Sequence, residues 1–162
     1  MNPHAHVVLG VSSLLTLGWV LAAAEAPRDG AVDDETARLV GTWRCVSAVV
    51  NGKPLPEAMV KQLKLTLTQN GYKTERADEV LFDSTYSLDT KLTPAHIDIV
   101  GTEGDAAGKI APGIYSLEKA GHGQVLKICY VMPGGERPNA FESAAASHAF
   151  FATWQRENAG DK

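Results

Sequence analysis

The sequence predicts an all-β protein: an antiparallel barrel of about eight strands with one or two short helices. Short segments of alternating apolar and polar residues recur after residue 40, and turn signals separate them. No helix-length segments alternate with these strands, so a parallel α/β sheet is not expected. Gly41-Thr42-Trp43 opens the first strand and Arg156 closes the last. A closed barrel is favoured over a two-sheet sandwich because closure removes exposed strand edges.

An export signal is expected before this domain. Val7 to Leu21 is apolar but shorter than the roughly 20 residues of a spanning helix. Ala22 to Ala24 then supplies the small residues that signal peptidase accepts. The sequence therefore predicts a signal peptide over 1–24, a secreted or periplasmic and cell-envelope location, and no membrane span after cleavage. Retention as an uncleaved anchor is the alternative, because no Lys or Arg precedes the apolar stretch.

The remaining chain has the size of one ordinary domain. Residues 25–32 are predicted to be a flexible lead-in, 33–157 the barrel domain, and 158–162 a C-terminal tail. Asp33 to Glu35 places acidic residues in the first turn of a short helix ending near Leu39, where they favour the positive end of the helix. A second helix of one or two turns is predicted over 56–61.

The first strand begins at Trp43 and is predicted to place Trp43, Cys45, Ser47 and Val49 on one face. Asn70-Gly71 is a strong hairpin signal between two later strands. A further strand is predicted to place Phe82, Ser84, Tyr86 and Leu88 on one side. The strands after the first are expected over 63–68, 72–76, 80–88, 95–100, 110–118, 125–131 and 148–156, with a long loop over 133–147.

Charge and composition exclude some partners. The formal net charge is −4, and charges of both signs are scattered, so no nucleic-acid surface is expected. A hydrophobic content of 44% is sufficient for a core without covalent cross-links. The two cysteines, Cys45 and Cys129, leave two alternatives open: a disulfide, as in many exported proteins, or two buried free thiols.

Catalytic and metal-binding patterns are weak. His96-x-Asp98 places an imidazole and a carboxylate on one strand face, but solvent exposure of both is the simpler interpretation. Lys127 shares a strand face with Cys129 and is capable of lowering its pKa, yet the apolar flanking residues favour packing. No Gly-x-Ser-x-Gly elbow is present. We therefore expect no enzyme, no metal site and no cofactor.

Two arginines are expected to have structural roles. Arg156 is predicted to stack on Trp43 and seal one barrel end together with Gly41. Arg137 lies in Glu136-Arg137-Pro138, on the predicted loop over 133–147 that follows the seventh predicted strand. It is expected either to pair with Glu136 or Asp98 and lock the loop, or to bind an anionic ligand group through its forked donors.

Several motifs in order resemble a family of secreted, lipocalin-like domains abundant in planctomycetes and of unknown function. The resemblance covers nearly all of the chain after the signal. It implies a lipocalin-like barrel and a bacterial secreted or envelope location, and it implies no activity. Cys129 falls within these motifs and Cys45 does not. The motifs are Gly41-Thr42-Trp43, Asn51-Gly52-Lys53, Ile97-Asp98, Gly108-Lys109, Gly113-Ile114-Tyr115, Leu126 to Tyr130, Pro133-Gly134, and Glu136-Arg137-Pro138 with Phe141.

The function expected from the sequence is non-catalytic binding of a small apolar or amphipathic ligand inside the barrel. The candidate ligand-binding residues are Leu65, Phe82, Tyr86, Tyr115 and, on the loop, Arg137. The alternative is a protein-interaction or inhibitor-like envelope module that acts through its loops. A cavity of roughly 300 Å³ or more favours the ligand binder. A filled interior with an exposed apolar loop patch favours the protein partner.

Overall fold

A computed structural model describes residues 30–121 and 123–157. The predicted signal peptide, most of the predicted lead-in and the predicted C-terminal tail lie outside the described residues. No helix in the described part of the chain is long and apolar enough to cross a membrane.

The described residues form two α-helices, nine β-strands and one 3-10 turn. The helices are α1 (Gly30–Leu39) and α2 (Glu57–Val60), and the 3-10 turn is Gly104–Ala106. The strands are β1 (Gly41–Val50), β2 (Lys53–Pro54), β3 (Leu63–Leu67), β4 (Gly71–Arg76), β5 (Glu79–Asp89), β6 (Ala95–Gly101), β7 (Ile110–Ala120), β8 (Gly123–Val131) and β9 (Ala149–Arg156).

Eight of the strands close into an antiparallel barrel, which confirms the predicted fold class and excludes the two-sheet sandwich. The order around the barrel is β1-β3-β4-β5-β6-β7-β8-β9, and β9 pairs with β1 to complete the closure. The two-residue strand β2 pairs only with β1 and was not expected from the sequence. It is too short to give a recognisable alternation, and its Pro54 is a residue that strands tolerate only at an edge.

The two ends of the barrel differ. At one end, the α1 end, the helix lies beside the first residues of β1, the last residues of β9 and the β3–β4 turn. The other end, the loop end, carries the α2 connection, the β4–β5 turn and the β6–β7 and β8–β9 loops. Gly30 to Val32 are helical, so the predicted flexible lead-in extends too far into the domain.

The interior of the barrel is filled by its own side chains. The core is continuous from Leu39 at the α1 end to Leu63 beside α2. Interior packing of this kind contributes the main favourable term to folding. Its largest fully buried members are Leu39, Trp43, Leu65, Leu67, Ile97, Tyr115, Leu126, Ile128 and Trp154.

A β-bulge in β1 changes which of its residues face the interior. In β1 the register shifts between Cys45 and Ser47, so Ala48 is buried, whereas Ser47 is exposed and Val49 only half-buried. The expectation that Ser47 and Val49 continue the inner face was therefore wrong. A bulge adds one residue and reverses the alternation beyond it, and a period-two pattern does not reveal this.

The cysteines are free, so the disulfide alternative does not hold in this structure. The reason is that they lie on opposite sides of the barrel wall. Cys45 belongs to the interior core. Cys129 lies on the outer face with Ile114 and Val131, under the β8–β9 loop.

Candidate functional site

The α1 end is sealed by a contact between the first and last strands. The guanidinium carbon of Arg156 lies 4.2 Å from the centroid of the Trp43 ring. Arg156 Nη1 donates to the carbonyl of Val40 at 2.7 Å, and Arg156 also donates to the carbonyl of Arg38. Trp43 Nε1 donates to the Leu39 carbonyl at 3.0 Å. These bonds satisfy carbonyls at the C-terminal end of α1.

Partial burial lowers the pKa of Arg156, although a guanidinium remains charged at neutral pH. Its Nε donates to Gln124 Oε1 at 2.6 Å, so a third strand also takes part in the seal. These contacts have a structural role, because they join α1, β1, β8 and β9.

The loop end holds an apolar cleft of about 80 Å³, called the mouth cleft below. Its walls come from the inner faces of β4 to β8, where these strands leave the packed core. Lys109 adds a positive charge at its rim. The residues that line it include Tyr72, Phe82, Ile99, Ala111, Tyr130 and Met132.

Two large apolar side chains of the mouth cleft are exposed to solvent. Phe82 is 46% exposed and Met132 is 53% exposed. Phe82 pairs with the buried Thr74 and so lies on the inner side of β5, as the alternation predicts. Leu81 is the extra residue of a β-bulge in β5, and its side chain packs against the core. Phe82 lies at the edge of the mouth cleft, outside the filled interior.

The polar side chains of the mouth cleft are the phenols of Tyr72 and Tyr130, the hydroxyl of Ser84 and the ammonium of Lys109. Burial raises the pKa of Tyr130 to about 12 and raises the pKa of Tyr72 well above its usual value. Both phenols are therefore neutral at physiological pH and able to donate a hydrogen bond. The ammonium of Lys109 forms no ion pair with another described residue, so it is available to an anionic group at the rim.

Arg137 holds the β8–β9 loop against the outside of the barrel. Its Nη1 donates to the carbonyls of Ile97 at 3.1 Å and Gly113 at 2.6 Å. Its Nη2 pairs with Asp98 Oδ1 at 2.6 Å. Of the two roles considered from the sequence, these contacts correspond to locking of the loop through Asp98. The same loop is fixed by Ser143, whose hydroxyl donates to the Ala149 carbonyl at 2.7 Å.

The remaining candidate ligand residues do not meet in one site. Leu65 and Tyr115 are 0% and 2% exposed and belong to the packed core. Tyr86 lies at the α1 end, where its hydroxyl donates to the Thr68 carbonyl at 2.9 Å. The expectation that Leu65, Phe82, Tyr86 and Tyr115 line one ligand cavity was therefore wrong. Leu65 and Tyr115 lie in the packed core, Tyr86 lies at the α1 end, and Phe82 lines the mouth cleft.

His96 and Asp98 line a polar cleft of about 150 Å³ on the outer face, together with Asp89 and Arg137. The Asp98 carboxylate is already paired with Arg137. Within the described residues, no group of three or more His, Cys, Asp or Glu side chains has the arrangement of a metal site.

Sequence reasoning missed most of the mouth cleft. Tyr72 and Tyr130 follow the period-two alternation of their strands, so their inward orientation was available from the pattern. Met132 and Lys109 lie just outside the predicted strands, in loops whose course depends on tertiary packing. No local signal identifies them.

Comparison with known proteins gives no relative. No protein-family model, no curated protein and no solved structure matches the chain. The fold therefore stands on the structure itself, and the resemblance to secreted lipocalin-like domains stays a prediction.

Proposed function

We propose that this protein is a non-catalytic binding module, exported to the cell envelope, that holds the apolar part of an amphipathic ligand at the loop end of its barrel. The observation that carries the proposal is the exposure of Phe82 and Met132, at 46% and 53%, above a cleft with apolar walls. Burying two such side chains under a ligand gives roughly 1.5–3 kcal/mol each at most.

The size of the mouth cleft limits what enters it. A cavity of about 80 Å³ lies well below the roughly 300 Å³ of pockets that enclose a drug-sized molecule. It has room for one short branched or cyclic apolar group. The rest of the ligand lies outside, against Phe82 and Met132, where Lys109 is placed to pair with an anionic group.

The two buried thiols are poorly suited to nucleophilic catalysis. Burial raises the pKa of Cys45 to about 11 and also raises the pKa of Cys129. Neither thiol therefore supplies a thiolate nucleophile at neutral pH.

A protein partner is the second candidate, and the filled interior with apolar side chains exposed at the loop end is the arrangement that the sequence analysis expected for it. The same small cleft also fits a single apolar side chain, and two of the loops at this end contribute Ala106 and Pro133 to its lining. Small clefts that receive one anchor side chain are typical of hot spots at protein interfaces. In this second candidate function, the mouth cleft binds an apolar side chain of another protein. This corresponds to the protein-interaction module that the sequence analysis gave as the alternative.

The test uses NMR titration with 4-methylpentanoate, whose branched chain suits the cleft and whose carboxylate suits Lys109. Its uncharged counterpart, 4-methylpentan-1-ol, separates the two contributions. We expect chemical-shift changes at Tyr72, Ala111 and Tyr130. Phe82→Ser and Met132→Ser are expected to weaken binding by about tenfold each, equivalent to ~1.4 kcal/mol. Lys109→Gln is expected to weaken binding of the carboxylate and not of the alcohol.

Val80→Ser and Ile110→Ser are matched controls. Both residues are 50% exposed and neighbour the cleft in sequence, but neither lines it. Equal titrations for the mouth variants and these controls would contradict the proposal. Native mass spectrometry of the protein isolated from its own host then separates the two candidates, because a bound small molecule and a bound protein differ in mass. Loss of the bound species in Phe82→Ser assigns it to the mouth cleft.

A further inference from the structure

A buried hydroxyl group lines the mouth cleft. The side chain of Ser84 is only 6% exposed, and it belongs to the lining of the cleft. Its hydroxyl forms no hydrogen bond with another described residue. A hydroxyl that loses its water on folding and gains no partner is unfavourable for stability, so its presence at this position requires an explanation.

The register places Ser84 deeper in the cleft than Phe82. The inner face of β5 carries Phe82, then Ser84 and then Tyr86, and their exposures are 46%, 6% and 8%. Ser84 pairs with Tyr72 on β4 and with Gly101 on β6, and both of these residues also line the cleft. The hydroxyl therefore lies at the floor of the cleft, between the exposed rim and the packed core.

The wall beside Ser84 is held in place by the backbone of the β6–β7 loop. Gly101 has no side chain, and a Cβ added to it would lie 2.3 Å from the Ala106 carbonyl oxygen. The Gly108 amide donates to the Gly101 carbonyl at 2.9 Å, and the Gly101 amide donates to the Lys109 carbonyl at 3.2 Å. The wall and Lys109 are therefore preformed, and a ligand does not have to order them on binding.

Three kinds of group follow one another from the floor of the cleft to its rim. The Ser84 hydroxyl lies at the floor, apolar walls such as Ile99 and Ala111 surround the space, and the Lys109 ammonium lies at the rim. A hydroxyl donates to an oxygen acceptor, whereas an ammonium pairs with a carboxylate. A volume of about 80 Å³ leaves room for only a few ligand atoms, so the oxygen acceptor has to belong to the short buried end itself.

We propose that the ligand of the mouth cleft is a short carboxylate whose buried end carries an oxygen atom, and that the Ser84 hydroxyl donates a hydrogen bond to this oxygen. The inference rests on the proposed function and adds the residue that selects between ligands. An end that consists of hydrocarbon alone leaves the Ser84 hydroxyl without a partner, and a site of this kind discriminates against such a ligand.

The test compares two probes of nearly equal shape, 4-oxopentanoate and 4-methylpentanoate, which carry a carbonyl oxygen and a methyl group at the same carbon. Their dissociation constants are measured by NMR titration. Ser84→Ala is expected to weaken binding of 4-oxopentanoate about fivefold and not to weaken binding of 4-methylpentanoate. Ser87→Ala, the same change at an exposed residue of β5 outside the cleft, is expected to change neither constant.

The stability of Ser84→Ala is measured alongside. Because the hydroxyl has no partner among the described residues, its removal is expected to leave the free energy of unfolding unchanged or higher. If both probes bind the wild type and Ser84→Ala changes their binding equally or not at all, the inference is overturned and the proposed function stands. Binding of 4-methylpentanoate without binding of 4-oxopentanoate has the same meaning. Failure of both probes to bind overturns the inference and the proposed small-molecule function together.

Discussion

The guanidinium of Arg156 lies over the indole of Trp43, with 4.2 Å between the guanidinium carbon and the ring centroid. These two residues are also paired in register, so the stacking sits where β9 closes onto β1. The hydrogen bonds from Arg156 to the Val40 and Arg38 carbonyls add α1 to the same junction. One arginine thus holds both ends of the domain and its helix.

Trp43→Ala is expected to lower the free energy of unfolding by about 3–5 kcal/mol, because it removes a fully buried indole and the support of Arg156. Urea unfolding followed by circular dichroism measures this change. Arg44→Ala is the control. Its side chain is exposed and, among the described residues, forms an ion pair with Glu157 alone, so a change within about 1 kcal/mol is expected. An unchanged midpoint for Trp43→Ala would refute the sealing role.

Gly41→Ala is expected to disturb the same junction. Gly41 has a φ of 142°, and an added Cβ lies 2.5 Å from Arg156 Nη1. The arginine has to move and the backbone is strained, for which we expect a cost of roughly 1–3 kcal/mol. Gly123→Ala is the control, since its nearest neighbouring atom lies at 3.7 Å. Equal stability of the two variants in thermal unfolding would argue against this role of Gly41.

Arg137→Lys is expected to free the β8–β9 loop. A lysine keeps the charge but loses the planar fork that reaches the Gly113 carbonyl and the Asp98 carboxylate together. We expect a loss of about 1–3 kcal/mol and faster amide hydrogen exchange over residues 133–148. Arg76→Lys, at a more exposed pair with Glu79, is expected to change neither. Unchanged exchange in Arg137→Lys would show that other contacts hold the loop.

Alkaline pH is expected to destabilise the fold through its buried thiols. Burial raises the pKa of Cys45 from 9.0 to about 11. The folded state then holds this proton more tightly than the unfolded chain. Its contribution to stability is therefore fully present below pH 9 and is lost as the pH rises towards about 11.

The comparison is between the wild type and Cys45→Ala in urea unfolding across this pH range. The stability of the wild type is expected to fall more steeply, by up to about 1.4 kcal/mol per pH unit. The constant cost of the smaller side chain does not affect this slope. Parallel curves would contradict a raised thiol pKa. The phenols of Tyr86 and Tyr130, with pKa values of about 12, are expected to add their own loss above pH 10.

Local patterns were sufficient for the eight barrel strands, but not for the short strand β2 or for the site. The alternation in Leu63 to Leu67 and the Asn70-Gly71 turn predicted β3, β4 and their hairpin, because the strand period and the turn conformation are local properties. The bulge at Leu81 depends on how β4 and β5 pair, and no residue type marks it. The separation of Tyr115 from Phe82 follows from the filling of the interior, which period-two patterns do not specify.

The central claim is that β9 closes onto β1 and so seals the α1 end of the barrel. The most direct test is the measurement of interstrand nuclear Overhauser effects between these two strands. The account predicts contacts for the pairs Trp43–Arg156, Cys45–Trp154 and Ala48–Ala152, with slow amide exchange along the seam. Absence of these contacts in a folded protein, or fast exchange of the β1 and β9 amides, would contradict it.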